Sequence, residues 1–185
     1  MTRKEMTEIF SVMLLAWPNA EMFKGGMQKL GPTIELWTAC TTDIDFWTAQ
    51  QAVIKLCKEC KFPPTIAEFR EKAASITQEV RARIQSSWDM LRFDIRQAKS
   101  PEIAFAKLPE GCDIKMVIVA MGGPAALLVK RVRKFADGRK EDYEAYNFDG
   151  FAAAFEQLIR SRNNLVIERY ALSLSMASTD WRQIT

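Results

Sequence analysis

Lys61-Phe62-Pro63-Pro64-Thr65-Ile66-Ala67-Glu68-Phe69-Arg70 is a stop followed by a start. Proline lacks an N–H and biases the residue before it toward extended backbone, so Pro63 and Pro64 end whatever helix precedes them. Thr65 then stands at an N-cap position, and Glu68 follows three residues later. Together they spell the Thr-x-x-Glu capping box of a new helix.

Upstream of this hinge the chain reads as a succession of short helices. Thr2 and Glu5 spell a first capping box. Met6, Ile9, Phe10, Met13 and Leu14 then recur at helical spacing until Pro18. A piece broken by Gly25 and Gly26 follows. Pro32 suits the first turn of a helix carrying Ile34, Leu36 and Trp37. Asp43 or Asp45 caps the next helix, whose stripe is Phe46, Ala49, Val53, Leu56, Cys57 and Cys60. Four helical pieces in about 75 residues predict a small bundle, near the size at which one core is only marginally stabilising.

Downstream, Ile76, Val80, Ile84, Trp88, Leu91 and Ile95 form one apolar stripe on a long helix from Ile66 to about Lys99. Ser75 with Gln78 offers a second cap after a break near Ala73–Ser75, and the domain boundary is placed there. Ser100-Pro101-Glu102 starts a short helix that ends at Leu108-Pro109. Residues 114–121 are rich in β-branched side chains, which suits a strand. No second convincing strand exists to pair with them, so a buried helix ending at Gly122-Gly123 is expected. A further helix is expected from Pro124, with Leu128, Val132 and Phe135 on one side. Residues 137–147 are polar and turn-rich. The last helix carries Phe148, Phe151, Phe155, Leu158 and Ile159 and extends toward Tyr170. The expected fold is therefore all-α: an N-terminal bundle over residues 1–75, a second helical domain over 76–172, and a tail over 173–185.

Composition narrows the chemistry. The chain has 185 residues, four cysteines and no histidine. The missing histidine removes His-based acid/base catalysis, Cys–His nucleophiles and most common catalytic metal sites. Cys57-Lys58-Glu59-Cys60 is a lone Cys-x-x-Cys, read as two buried core cysteines because both fall on the apolar stripe. No Gly-x-x-x-x-Gly-Lys-Ser/Thr and no Gly-x-Gly-x-x-Gly occurs, so Gly122-Gly123-Pro124 is not a phosphate loop. The chain is read as non-enzymatic and free of cofactors. No run approaches the roughly 18 apolar residues of a membrane span, and Glu5 and Glu8 interrupt any signal core. A cytoplasmic place is the expectation.

The net charge is +3. Residues 1–75 balance nine Lys/Arg against nine Asp/Glu, so the excess lies beyond them. That surplus is small for a nucleic-acid binder, and direct DNA binding is expected to be weak or absent unless a local patch supplies it. Lys130, Arg131, Arg133 and Lys134 form the densest basic run. On a helix, Lys130, Arg131 and Lys134 make either a solvated face or a contact for DNA phosphates or an acidic partner. Trp181 lies in a polar tail with Arg182 and Ile184. An exposed aromatic beside an arginine has the composition of a binding hot spot, and a tail that folds back on the domain is the other reading.

The order of these elements resembles the phage helicase loader/inhibitor family of Gram-positive phages. The resemblance rests on Trp17-Pro18, Thr33 with Leu36-Trp37, the acidic turn at Asp43 and Asp45, Ala52-Val53, and the Lys-Phe-Pro-Pro-Thr-Ile-Ala-Glu hinge. It covers residues 1–75 in order and spacing. Trp88, Leu108-Pro109, Gly122-Gly123 and Phe151–Arg160 look like C-terminal segments of longer relatives. The resemblance implies a protein that binds a DnaB-type hexameric replicative helicase, holds it inactive and delivers it to the phage origin through an origin-binding replisome organiser. It associates helicase contact with the C-terminal part. Two alternatives stay open: a phage-encoded inhibitor of a host replication protein, and a helical DNA-binding module.

Overall fold

The structure is a computed structural model, and it describes residues 1–136 and 138–162. Among these residues the fold is mostly helical, with seven α-helices and one two-stranded sheet. Contacts cluster into two compact units, Met1–Arg81 and Ala82–Thr185.

In the first unit, α1 (Arg3–Ala16) opens with both halves of its capping box: Thr2 Oγ1 accepts from Glu5 N–H, and Glu5 Oε2 accepts from Thr2 N–H at 2.7 Å. After two 3₁₀ turns, α2 (Gly31–Cys40) starts with Pro32 in its first turn. Asp45 proves to be the cap of α3 (Phe46–Glu59), accepting from Thr48 N–H at 3.1 Å. Then α4 (Ile66–Ala98) begins at the hinge, where Thr65 N–H donates to Glu68 Oε2 at 2.7 Å and Glu68 N–H to Thr65 Oγ1 at 3.3 Å.

The buried faces of α1, α2, α3 and the start of α4 meet in one core. Phe10 stands edge-on to Trp37 at 5.2 Å, and Trp37 to Phe69 at 5.5 Å. Met6, Ile9, Met13, Val53 and Leu56 fill the space around them. Within α3, Trp47, Ala52 and Val53 are buried. Cys57 and Cys60 are free and half-buried rather than core. Burial still pushes the Cys57 thiol up from its ordinary pKa.

Replacing Thr65 with Ala removes the side-chain acceptor for Glu68 N–H. We expect a loss of ~1 kcal/mol in thermal unfolding. An unchanged midpoint would show that the cap contributes nothing.

No break interrupts α4 near Ala73–Ser75. Ser75 Oγ donates to Glu79 on the next turn instead of capping a new helix. Residues 66–81 of α4 belong to the first unit and 82–98 to the second. In the second unit the expected stripe is formed, with Ile84, Trp88, Leu91 and Ile95 buried. Next come α5 (Pro101–Lys107), capped by Ser100, and α6 (Asp113–Ala120). The β-branched segment is thus helical. Ile114, Val117 and Ile118 supply a buried helical face, which outweighs strand propensity. Gly123 N–H closes the end onto Ile118 C=O, with Gly122 and Gly123 at φ +101° and +103°.

Beyond Pro124 the structure departs from the expected helix. A 3₁₀ turn (Pro124–Leu127) leads into β1 (Leu128–Lys134), which pairs antiparallel with β2 (Lys140–Tyr146). The turn between them contains Gly138 at φ +83°. The segment read as polar turn is therefore largely a strand. Last is α7 (residues 148–162). Asn147 caps it, accepting from Gly150 N–H at 3.0 Å and donating to Ala126 C=O at 3.0 Å. Trp88 centres this unit's core, 5.0 Å from Phe151, 5.6 Å from Phe148 and 6.1 Å from Tyr146.

Candidate functional site

In the first unit, several of the residues that carry the resemblance are engaged in architecture, while Leu36 and Phe62 are exposed. Trp17 is buried and its indole N–H donates to Cys60 C=O at 3.3 Å, which ties the end of α1 to the end of α3. Asp43 takes a two-point bond from Arg70, at 2.7 and 2.9 Å. Those bonds hold the Asp43 carboxyl below the ordinary carboxylate range and push Arg70 up. Arg70 also donates to Cys40 C=O, and the N-terminal ammonium donates to Thr42 and Ile44 C=O. The acidic turn is thus clamped from two directions. Glu68 is held low by the Thr65 backbone N–H first and its hydroxyl second.

Beside the hinge lies an open groove of about 670 Å³, lined by Trp17, Pro18, Met22, Phe62 and Pro63. Phe62 is 70% exposed, with the Lys61 ammonium 5.6 Å from its ring.

In the second unit, Asp113 at the start of α6 receives both Arg83 and Arg162. Burial works to raise its carboxyl pKa, but the two arginine bonds outweigh that and leave it lowered.

The hairpin carries the basic run. Lys130, Arg131 and Lys134 lie on β1 and are exposed. Side chains alternate across a strand, so Lys130 and Lys134 share one face with Val132, and Arg131 lies on the other with Arg133. The expected helix, with Arg131 close to the face shared by Lys130 and Lys134, is corrected accordingly: those two lysines still share a face, and Arg131 is on the opposite one. Pairing places Tyr143 opposite Arg131 and Glu141 opposite Arg133. Phe135 N–H donates to Arg139 C=O at 2.9 Å, extending the ladder by one step. The Arg133 guanidinium lies 5.2 Å from the Tyr143 ring centre, and that of Arg139 lies 5.6 Å from Phe135. Sequence reading missed Tyr143, Phe135 and Arg139 as members of one surface. Asp137-Gly138 between two runs of strand length was the available signal.

Trp181, Arg182 and Ile184 lie outside the described residues. Among the described residues no group of three His, Cys, Asp or Glu side chains is arranged to hold a metal ion. No described helix is long and apolar enough to cross a membrane.

Comparison with curated proteins and with solved structures finds no match. A family profile does match. It describes the N-terminal domain of the gp39P-like phage helicase loader/inhibitor proteins, and it covers residues 1–70. The hinge, the acidic turn and the Trp17-Pro18 corner all fall inside that span, and the first 70 residues of this chain are therefore similar to the N-terminal domain of the phage helicase loader/inhibitor proteins.

Proposed function

We propose that this chain is a non-enzymatic phage DNA-replication protein. It binds a DnaB-type hexameric replicative helicase, holds it inactive and delivers it to the phage origin with an origin-binding replisome organiser. The observation that carries this reading is the match of residues 1–70 to the loader/inhibitor N-terminal domain, together with the helical order found there.

Of the residues that carry the resemblance, Trp17, Trp37, Val53, Asp43, Thr65 and Glu68 cap, clamp and pack. They make a scaffold, and helicase contact on this reading falls to surfaces beyond residue 75. The tail residues Trp181, Arg182 and Ile184 are the proposed anchors, with the basic strand residues Lys130, Arg131 and Lys134 as secondary contacts. Loading and simple inhibition share the first step and differ in the second. Adding the organiser and origin DNA restores unwinding by the helicase only if the protein delivers it.

The test is a pull-down and titration of the full chain against phage and host replicative helicases. Truncating a hot-spot aromatic typically costs ~2 kcal/mol or more, about thirty-fold in affinity. Deleting residues 178–185 is expected to weaken helicase binding by about that factor with the melting temperature unchanged. Unchanged affinity would discard the tail as the anchor. Loss of folding would assign Trp181 to the core instead.

A further inference from the structure

The hairpin sorts its cations by type. Arg131, Arg133 and Arg139 share a face with Phe135 and Tyr143, while Lys130, Lys134 and Lys140 share the opposite face with Asp142, Glu144 and Val132. Among the described residues of the ladder, Glu141 is the carboxylate on the arginine face, and Asp149 approaches Arg131 from α7 at 3.9 Å. Phe135 and Tyr143 are each 38% exposed, and each lies beneath a guanidinium. We propose that this arginine–aromatic face of the hairpin binds single-stranded DNA, with bases stacking on Phe135 and Tyr143 and phosphates paired to Arg131 and Arg133.

The chemistry argues for this ligand over an acidic protein surface. An acidic patch would be met by the guanidinium groups pairing with carboxylates alone and would need no aromatic rings set among them. Planar rings interleaved with planar guanidinium groups suit the flat faces of unpaired bases, which stack on both. A duplex keeps its bases stacked inside and offers these rings only phosphates, which makes the single strand the fitting form. The strands are seven residues long, about 20 Å, enough for several nucleotides. The small net charge of the whole chain does not oppose this, because the positive field is local to one face. The choice of DNA over RNA rests on the replication reading above. The stacking surface itself stands on the hairpin geometry alone.

The test is fluorescence anisotropy of labelled dT20, a 20-base-pair duplex and U20, titrated with the full chain at two salt concentrations. We expect dT20 to bind more tightly than either competitor, with affinity falling as salt rises. Phe135→Ala and Tyr143→Ala are each expected to weaken dT20 binding roughly five-fold or more. Phe135→Trp, which keeps a stacking ring, is expected to retain it, and this rescue separates stacking from a folding defect. Arg131→Gln with Arg133→Gln is expected to flatten the salt dependence. Lys130→Gln with Lys134→Gln, on the opposite face, is expected to do little. Absence of dT20 binding by the parent, or equal losses from the lysine and arginine pairs, would overturn the proposal. So would equal affinity for duplex. Tighter binding of U20 would overturn the assignment to DNA. Helicase pull-down with Phe135→Ala and Tyr143→Ala, which are not among the helicase contacts proposed above, distinguishes the remaining case: loss of helicase with dT20 binding intact would make the face a protein contact and overturn the proposal, whereas helicase binding by the parent is read independently of it.

Discussion

Trp37→Ala is expected to unfold the N-terminal unit near ordinary temperatures. Trp37 is 4% exposed and stands between Phe10 and Phe69, edge-on to both. It joins α2 to α1 and to the start of α4 in one aromatic contact. Removing it leaves a cavity where two rings lose their partner, and large aromatic deletions of this kind cost about 3–5 kcal/mol. A unit of this size holds only a few kcal/mol in reserve. Thermal unfolding followed by circular dichroism is expected to show loss of an early transition or a large fall in its midpoint. Trp37→Phe, which preserves a ring, is expected to lose much less. A midpoint within about a degree of the parent for the alanine variant would mean that Trp37 is not the centre of this core.

Trp88→Ala is the corresponding experiment in the second unit, with a second consequence. Trp88 is 3% exposed and packs on Tyr146, Phe148 and Phe151. The cost is again about 3–5 kcal/mol. Tyr146 is the last residue of β2 and is also covered by the Arg92 guanidinium at 5.6 Å. Trp88 therefore secures the base of the hairpin as well as the helical core. Limited trypsin digestion is expected to cut faster at Lys130–Lys134 in the variant, before general degradation. Unchanged cleavage there, with an unchanged melting temperature, would refute the view that the hairpin is held through Trp88.

What could be read from the sequence divides by range. Capping boxes are local, and both Thr2/Glu5 and Thr65/Glu68 form as spelled. The stripe Ile84, Trp88, Leu91 and Ile95 is buried because its spacing fits one period over three turns. Despite its Asp-Gly turn signal, the hairpin is misread for a definite reason. Leu128 and Val132 are four apart, a spacing that satisfies a helix and a strand equally. The distal hairpin exposes both faces, so β2 carries no apolar alternation to reveal it. The β-branched run at 114–121 misleads in the opposite direction, since its helical face is set by what Ile114, Val117 and Ile118 pack against. For the candidate surface, the basic run was visible and its partition was not. Which cations share a face depends on the period, and the period was the thing misread. Trp181, Arg182 and Ile184 lie outside the described residues and keep only their sequence argument.

Among the described residues the sheet has two strands, and so two margins with no further strand beside them, each with amide and carbonyl groups that another extended chain could pair. Such a margin templates self-association unless something repels the incoming copy. Here the guard is charge: β1 presents Lys130, Arg131, Arg133 and Lys134 within five consecutive positions, and a second β1 laid alongside would set cation against cation. Neutralising these residues thus carries a solubility consequence separate from any ligand. With Lys130 and Lys134 acetylated, light scattering at high protein concentration is expected to show earlier self-association than in the unmodified chain.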